Sequence, residues 1–265
     1  MRTLSPGTDL SRFFERAAQA SARVLMLDYD GTLAPFQVRP ERAVPYPGVE
    51  DLLDAIMGAG GTRVVIVSGR PVGELVPLLN LHRRPELWGA HGWERLAPDG
   101  RGARIEPDEG ARRQLREGER LARELARDGA RVETKPASVA LHWRGASALA
   151  AAKMRDAVPQ AWEPLAAEGD VELLPFDGGM ELRARGRSKR HAVETVLGET
   201  AGDGAVAYLG DDLTDEDAFR AVKPRGLAVL VRVELRDTAA DLWIRPPREL
   251  IAFLRRWHDA CGGRP

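Results

Sequence analysis

Apolar and polar positions follow two different rhythms along this chain. In the first, short apolar runs at 23–27, 63–67, 205–209 and 227–231, rich in valine, leucine and isoleucine, alternate with stretches of helical spacing. Runs of that length and composition read as strands covered on both faces, the habit of a parallel sheet. Helices are predicted over 9–19, 48–59, 72–79, 188–197 and 247–258, with a short strand over 87–90 and a hairpin at the Pro98-Asp99-Gly100 turn. Strand, helix and parallel strand in succession imply right-handed crossovers.

The rhythm changes near Pro107. A long charged helix over 108–128 carries Leu115, Leu121 and Leu125 on one face, and two alternating segments, 131–135 and 138–144, follow it. A second helix over 147–158 leads to strands at 170–174 and 179–183, joined across Pro175-Phe176-Asp177-Gly178. The order αββαββ predicts an antiparallel sheet backed by two helices. The expected fold class is therefore α/β: a Rossmann-like parallel sheet core formed by 1–106 and 186–265, interrupted by an inserted α+β domain at 107–185. An insert of this kind is a means of excluding water and selecting substrates.

Composition narrows the choice of partner. The 265 residues suffice for one large domain or two modest ones. Thirty-nine Lys+Arg against 40 Asp+Glu give a net charge of −1, which argues against a nucleic-acid or anionic-membrane partner. No stretch approaches the ~18 apolar residues of a membrane span, and residues 1–7 lack the apolar core of a signal peptide. The single cysteine, Cys261, excludes an intrachain disulfide and a cysteine-only metal cage. A cytoplasmic monomer acting on a small molecule is the expectation. Among the basic residues only Lys135, Lys153, Lys189 and Lys223 are lysine. In so arginine-rich a chain, Lys189 between Arg187 and Arg190 points to a position that wants a compact point charge rather than a planar fork.

Three of the apolar runs end in small polar clusters: Asp28-Tyr29-Asp30-Gly31-Thr32, Ser68-Gly69-Arg70 and Gly210-Asp211-Asp212. Open parallel sheets bind ligands outside the carboxyl ends of their strands, so the clusters would share one rim. Asp28 and Asp30, two apart at a strand end, point along the same side and can divide nucleophilic and acid–base work. Gly31 and Thr32 bring backbone N–H groups beside them. Asp-Gly is also a common turn former, but a turn does not explain a second acidic group at another strand end. Asp211 and Asp212 would repel Asp28 and Asp30 unless a cation lay between them. Asp211 is thus a candidate ligand, with Asp212 and Asp215 as direct or water-mediated supports, and Mg²⁺ suits such oxygen donors. Thr214 with Asp217 reads as an N-cap, and Glu216 as a charge on the helix dipole. Ser68 and Gly69 offer a hydroxyl and amides to a phosphate at a helix start, although Ser68 is equally a cap. Lys189 supplies an ammonium for an attacking carboxylate and a phosphoryl group.

With these residues in place the chain resembles a known family. Asp28-x-Asp30-Gly31-Thr32, Ser68, Lys189 and Gly210-Asp211-Asp212 resemble the four motifs of the haloacid dehalogenase-like (HAD) phosphatases, and the insert resembles their C2B cap. More narrowly, segments 210–219, 89–94 and 139–144 are similar to trehalose-6-phosphate phosphatases, and the likeness runs from about residue 23 to 258. The resemblance implies Mg²⁺-dependent hydrolysis of trehalose 6-phosphate, a step of trehalose biosynthesis, through a phosphorylated Asp28. Asp30 would protonate the leaving sugar oxygen and then activate water. The resemblance places Mg²⁺ on Asp28, the Asp30 carbonyl and Asp211, and phosphate contacts on Thr32, Ser68, Gly69 and Lys189. It implies sugar contacts from Glu133, Lys135, Arg144 and Glu181 in the insert and from His91 and Glu94 in the core, with Trp93 as packing or a stacking surface. The alternatives are the same chemistry on another phospho-sugar (sucrose phosphate, mannosyl-phosphoglycerate, a hexose phosphate) and a non-catalytic sugar-phosphate sensor. The Asp28–Asp30 pair speaks against a sensor, which has no use for a nucleophile and an acid. One segment departs from the family: Phe176-Asp177-Gly178-Gly179-Met180 stands where a lysine or other polar residue more often precedes Glu181.

Overall fold

The computed structural model describes residues 1–262 apart from Val38, Asp177 and Asp203. The chain begins with β1 (Arg2–Thr3), α1 (Leu10–Gln19), β2 (Arg23–Leu27), α2 (Val49–Ala59), β3 (Thr62–Val67), α3 (Val72–Leu75), β4 (Glu86–Gly89), β5 (Glu94–Leu96) and β6 (Gly102–Arg104). The insert follows as α4 (Glu109–Leu125), β7 (Arg131–Lys135), β8 (Ser138–His142), α5 (Ala148–Ala167), β9 (Val171–Phe176) and β10 (Gly179–Ala184). The first pattern then resumes with α6 (Lys189–Glu199), β11 (Ala205–Gly210), α7 (Glu216–Val222), β12 (Gly226–Val231), β13 (Leu242–Ile244) and α8 (Arg248–Ala260). Two compact units result, Met1–Ala103 with Ser188–Pro265, and Arg104–Arg187.

The first unit is a nine-stranded sheet in the order β1-β13-β12-β11-β2-β3-β4-β5-β6, parallel from β13 to β4. Each apolar run of the sequence serves two cores because successive side chains point to opposite faces. Leu25 and Leu27 pack on one face with Phe14, Leu53 and Phe253 from α1, α2 and α8. Val24 and Met26 pack on the other with Val193 and Phe219 from α6 and α7. Fully burying one such side chain stabilises by roughly 1.5–3 kcal/mol, which is why these runs cannot be edge strands. The chain leaves β2 toward β3 and β4, then returns on the other side of β2 as β11, β12 and β13. The switch point of the sheet therefore lies between β2 and β11, where such folds hold their ligands.

The second unit pairs β7-β8-β10-β9 in one antiparallel sheet. Val139, Leu141, Leu182 and Val171 are buried, and α4 and α5 contact these strands. Glu133, Lys135, Ser138, His142, Glu181 and Arg183 occupy the opposite parity. The second helix of the insert extends beyond its expected end at 158, continuing through Pro159 and Pro164 to Ala167. Met154, Val158 and Trp162 form a buried stripe along it, and the Trp162 indole donates to the Gly118 carbonyl at 3.0 Å. That burial outweighs the missing proline donors. The helix predicted over 72–79 is α-helical only to Leu75 and ends in a 3₁₀ turn. Strands β1 and β13 are too short to leave a periodic signal. Asp177, in the turn expected between β9 and β10, lies outside the described residues. Among the described residues no helix is long and apolar enough to cross a membrane.

Candidate active site

The parallel register sets Leu27 beside Leu209, and Asp28 N donates to the Leu209 carbonyl at 2.8 Å. Strand β2 thus delivers Asp28 to the switch point, and β11 delivers Asp211 next to it. Oxygens of Asp28, Asp211 and Asp215 all lie within 4.8 Å of one another, and all three residues are buried. Lys189, the first residue of α6 and only 3% exposed, places its Nζ 2.6 Å from Asp28 Oδ1 and 2.8 Å from Asp215 Oδ1. Burial, with Lys189 opposing it and Asp215 adding to it, pushes the Asp28 carboxyl up from 3.8 to about 7. Burial and then the charges of Asp28 and Asp215 push Asp211 well above the usual carboxylate range. Burial works to lower the Lys189 ammonium, but Asp215 and Asp28 more than reverse it and keep the group charged. Three buried carboxylates thus face Lys189 and, 3.9 Å from Asp211, the guanidinium of Arg232.

The three carboxylates are not equivalent. Asp215 Oδ1 accepts from Lys189 and from the Tyr208 hydroxyl (2.6 Å), and its Oδ2 accepts from the Asp211 and Asp212 amides (3.0 Å each). Four donors fill the acceptor sites of a carboxylate, so Asp215 faces inward as a brace. Asp215, expected as a direct or water-mediated support, thus stands within the carboxylate group that could hold an ion and is at the same time hydrogen-bonded from four donors. Asp212 caps the short 3₁₀ turn Leu213–Asp215 through its own oxygen on Leu213 N and stands outside the cluster; the expected cap at Thr214 is not made. Glu216 is no solvated dipole partner either. It is buried, pairs with Arg236 and accepts from Ala239 N.

Asp28 retains acceptor room, with Thr32 Oγ1 on its Oδ2 at 3.2 Å. Gly31 has φ +83°, and a Cβ there would fall inside the Asp211 carboxylate. Only glycine allows that approach. Two buried carboxylates that repel each other beside a glycine gap form an all-oxygen donor set that fits a hard divalent cation such as Mg²⁺.

Asp30 turns away from the three. Its carboxylate is held by Arg70 in a bidentate pair, 2.6 Å on each side. Of the five aspartates expected at the site, Asp28, Asp211 and Asp215 come together, while the Asp30 side chain pairs with Arg70 and that of Asp212 lies outside the group. Ser68 is buried and accepts from Arg70 N at 3.1 Å; it does not cap α3, whose N-cap is Pro71. Ala90 and His91 both take the left-handed conformation (φ 48° and 56°), rare for residues with a Cβ. That turn lays His91 Nε2 2.6 Å from where a Gly69 Cβ would stand, so Gly69 also reserves space. Glu94 accepts from Val72 N at 2.7 Å and serves as the cap of α3.

In the insert, Glu133 accepts from His142 Nε2 (2.6 Å) and Arg131 (2.9 Å), and Lys135 Nζ stands 3.5 Å from Glu133 and 3.6 Å from Glu181. Ser138 donates to Glu181 at 2.6 Å. Burial works to raise the Glu133 carboxyl, but the His142 hydrogen bond and the Lys135 charge hold it well below the usual range. Glu133, Lys135 and Glu181 are thus brought together on the polar sheet face. Arg144 lies past the end of β8, with its Nε 3.0 Å from where a Gly178 Cβ would stand.

Residues 26–240, most of the chain and nearly the whole of this constellation, match the family model described as trehalose-phosphatase. The chain belongs to the trehalose-phosphatase family. A trehalose-phosphate phosphatase of Mycobacterium marinum is 33% identical over 252 residues, covering 88% of this chain and 60% of that protein. The chain spans about three fifths of the length of the mycobacterial relatives it matches. Among solved structures, the C-terminal domain of a Candida albicans trehalose-6-phosphate phosphatase superposes with a TM-score of 0.83 at 20% identity, covering 99% of both chains. A phosphatase of the HAD superfamily from Bacteroides thetaiotaomicron, at 16% identity and TM-score 0.58, shares the fold over 96% of this chain. The fold is accordingly a HAD-like α/β core with an α+β cap.

Within this family member the sequence left four contributors unnamed. Arg70, Tyr208 and His142 stand inside or beside motifs that were read for other residues. Arg236 holds the Asp211–Asp212 backbone from the loop after β12, donating to the Asp212 carbonyl at 2.8 Å. An arginine in a loop carries no spacing signal, and only contact reveals it.

Proposed function

We propose that this chain is a phosphomonoesterase that hydrolyses trehalose 6-phosphate to trehalose and inorganic phosphate, the last chemical step of trehalose biosynthesis. The observation that carries the proposal is the buried Asp28–Lys189–Asp211 cluster at the switch point of the sheet. An Asp28 oxygen attacks phosphorus, the bond from phosphorus to the sugar oxygen breaks, and Asp30 gives that oxygen its proton. Asp30 then takes a proton from water, which attacks the aspartyl-phosphate and frees phosphate and Asp28. Lys189 holds Asp28 in place, Ser68, Gly69 and Thr32 receive phosphate oxygens, and Asp215 braces Lys189 and the amides of Asp211 and Asp212. Mg²⁺ on Asp28, Asp211 and the Asp30 carbonyl would neutralise the phosphoryl oxygens. Glu133, Lys135, Arg144 and Glu181 bind sugar hydroxyls by charge-assisted hydrogen bonds.

The test is a phosphate-release panel of trehalose 6-phosphate, sucrose phosphate, mannosyl-phosphoglycerate and hexose phosphates. The expected result is a kcat/KM for trehalose 6-phosphate at least tenfold above the rest, abolished by EDTA and restored by Mg²⁺. Preference for another member of the panel, or activity indifferent to EDTA, overturns the proposal.

The Arg70 clamp gives a sharper check on Asp30. A sugar alkoxide cannot leave unprotonated, whereas p-nitrophenolate can. Arg70→Ala is therefore expected to lower kcat/KM for trehalose 6-phosphate by about 10²-fold, the lower end of general acid catalysis, and to lower that for p-nitrophenyl phosphate far less. Equal losses on both substrates would mean that Arg70 does not orient the acid.

A further inference from the structure

Two glycines, Gly178 and Gly179, stand at the start of β10, and the register of the insert's sheet shows what the second of them allows. Phe176 pairs with Gly179 across the β9–β10 turn, Gly179 pairs with His142, and His142 pairs with Arg131. One row across the polar face therefore reads Phe176, Gly179, His142, Arg131. A Cβ on Gly179 would fall inside the Phe176 ring, so the ring lies across the vacant position. It reaches the next strand and packs against the His142 imidazole, with centroids 5.0 Å apart and planes tilted by 58°. His142 in turn sets its Nε2 2.6 Å from Glu133 Oε2, the oxygen that Arg131 also contacts.

The consequence is that one oxygen of Glu133 is fixed from the Phe176 side while the other is turned toward Lys135, 3.5 Å away. Glu133, Ala140 and Glu181 are in register on three adjacent strands, with an alanine in the middle. Two strand spacings set the two carboxylate-bearing backbones about 10 Å apart, and Lys135 Nζ stands 3.5 and 3.6 Å from an oxygen of each carboxylate. A carboxylate held in one rotamer binds a hydroxyl without first losing side-chain freedom, and that preorganisation strengthens binding.

We propose that Phe176, seated over Gly179, braces His142, and that His142 holds the Glu133 carboxylate in the orientation that receives the hydroxyls of the leaving sugar. His142 and Phe176 are thus positioning residues that determine affinity for the disaccharide, a role that rests on the assignment of the sugar to this sheet face. A histidine and a phenylalanine that act through Glu133 leave two signatures a merely structural pair does not: a KM-against-kcat split, and non-additivity with Glu133.

The experiment uses the full chain and measures kcat and KM for trehalose 6-phosphate, the inhibition constant of trehalose, and thermal unfolding. His142→Ala is expected to raise KM and the trehalose inhibition constant about tenfold, with kcat changed less than threefold, the effect of one freed side chain. Phe176→Leu, which keeps apolar bulk, moves both constants in the same direction by a smaller factor. His142→Gln, which restores a donor of similar reach, recovers most of the loss. In the Glu133→Ala background His142→Ala adds less than twofold, because the group it acts through is gone. KM and inhibition constant within twofold of the parent for His142→Ala, or full additivity with Glu133→Ala, overturns the inference while leaving the phosphatase reading intact. A parent enzyme that fails to prefer trehalose 6-phosphate overturns both.

Discussion

Asp28→Asn is expected to abolish turnover of trehalose 6-phosphate, a loss of at least about 10⁴-fold, and at the same time to make the Mg²⁺-free protein harder to unfold. The first half follows from the loss of the attacking oxygen; deleting a nucleophile in a well-organised site costs about that much or more. The second half follows from charge. Asp28 sits buried beside Asp211 and Asp215 with Lys189 as the shared cation. Its carboxyl is pushed up to about 7 from 3.8, burial being the main cause. An acid whose folded-state pKa exceeds its unfolded value binds more protons when folded, so its contribution to stability is present at low pH and is lost as pH rises from about 4 through 7. Asparagine keeps the shape, still accepts from Lys189 and removes that loss. The melting temperature of the variant in EDTA should therefore equal or exceed the parent's at pH 5 and exceed it by more at pH 8. Mg²⁺ should reverse the order by stabilising the parent, whose donor set is complete, more than the variant. Phosphate release that survives the substitution, or a variant that melts below the parent in EDTA at pH 8, refutes this account of Asp28.

Strand ends were the most legible part of the molecule, and the reason is physical. Runs such as 23–27 and 205–209 are apolar on both faces because helices cover both faces, so periodicity and position in the sheet are written in the same residues. Once those strands were parallel, the convergence of Asp28 and Asp211 followed from topology. What could not be read was the division of labour among close carboxylates. Asp215 belongs with Asp28 and Asp211 to the carboxylates that could hold an ion, and its oxygens also receive Lys189, Tyr208 and two amides. Asp30 looks like part of the cluster, yet Arg70 draws it to the rim. Both outcomes depend on donors supplied from other elements, which no local pattern encodes. The same holds for α5, where Pro159 and Pro164 suggest a helix end and the buried face of Met154, Val158 and Trp162 overrides them. In the insert the departure at 176–180 was legible as an anomaly, but its meaning required the cross-strand register that puts Phe176 beside His142.

Lys189→Met separates the two tasks of the lysine and carries the largest stability effect expected of any substitution in the site. The ammonium is 3% exposed and makes both of its ion pairs with buried carboxylates. Methionine fills much of the same volume, so the change is in charge rather than in packing. Removing one partner of a buried pair leaves the other charge uncompensated and costs about 3–5 kcal/mol. For a chain of this size that is a fall in melting temperature on the order of 10 °C. The pH dependence identifies the source. Lys189 is charged throughout the working range, so its own titration contributes no slope there. Both Asp28 and Asp215 lose their cation, and of the two it is Asp28 that burial already inclines to protonate near pH 7. Losing Lys189, which holds that carboxyl down, pushes it up further, so Asp28 sheds its charge at pH 5 in parent and variant alike and the two differ at higher pH. The destabilisation should therefore be larger at pH 8 than at pH 5. Combining the variant with Asp28→Asn should recover part of the lost stability, because the double variant removes cation and anion together. Lys189→Arg should not substitute, since a planar fork does not fit between two oxygens held 2.6 and 2.8 Å from one nitrogen. Activity should fall together with stability for Lys189→Met and stay low in the stability-restored double variant. A melting temperature within 2 °C of the parent at pH 8 would mean that Lys189 does not hold the cluster together.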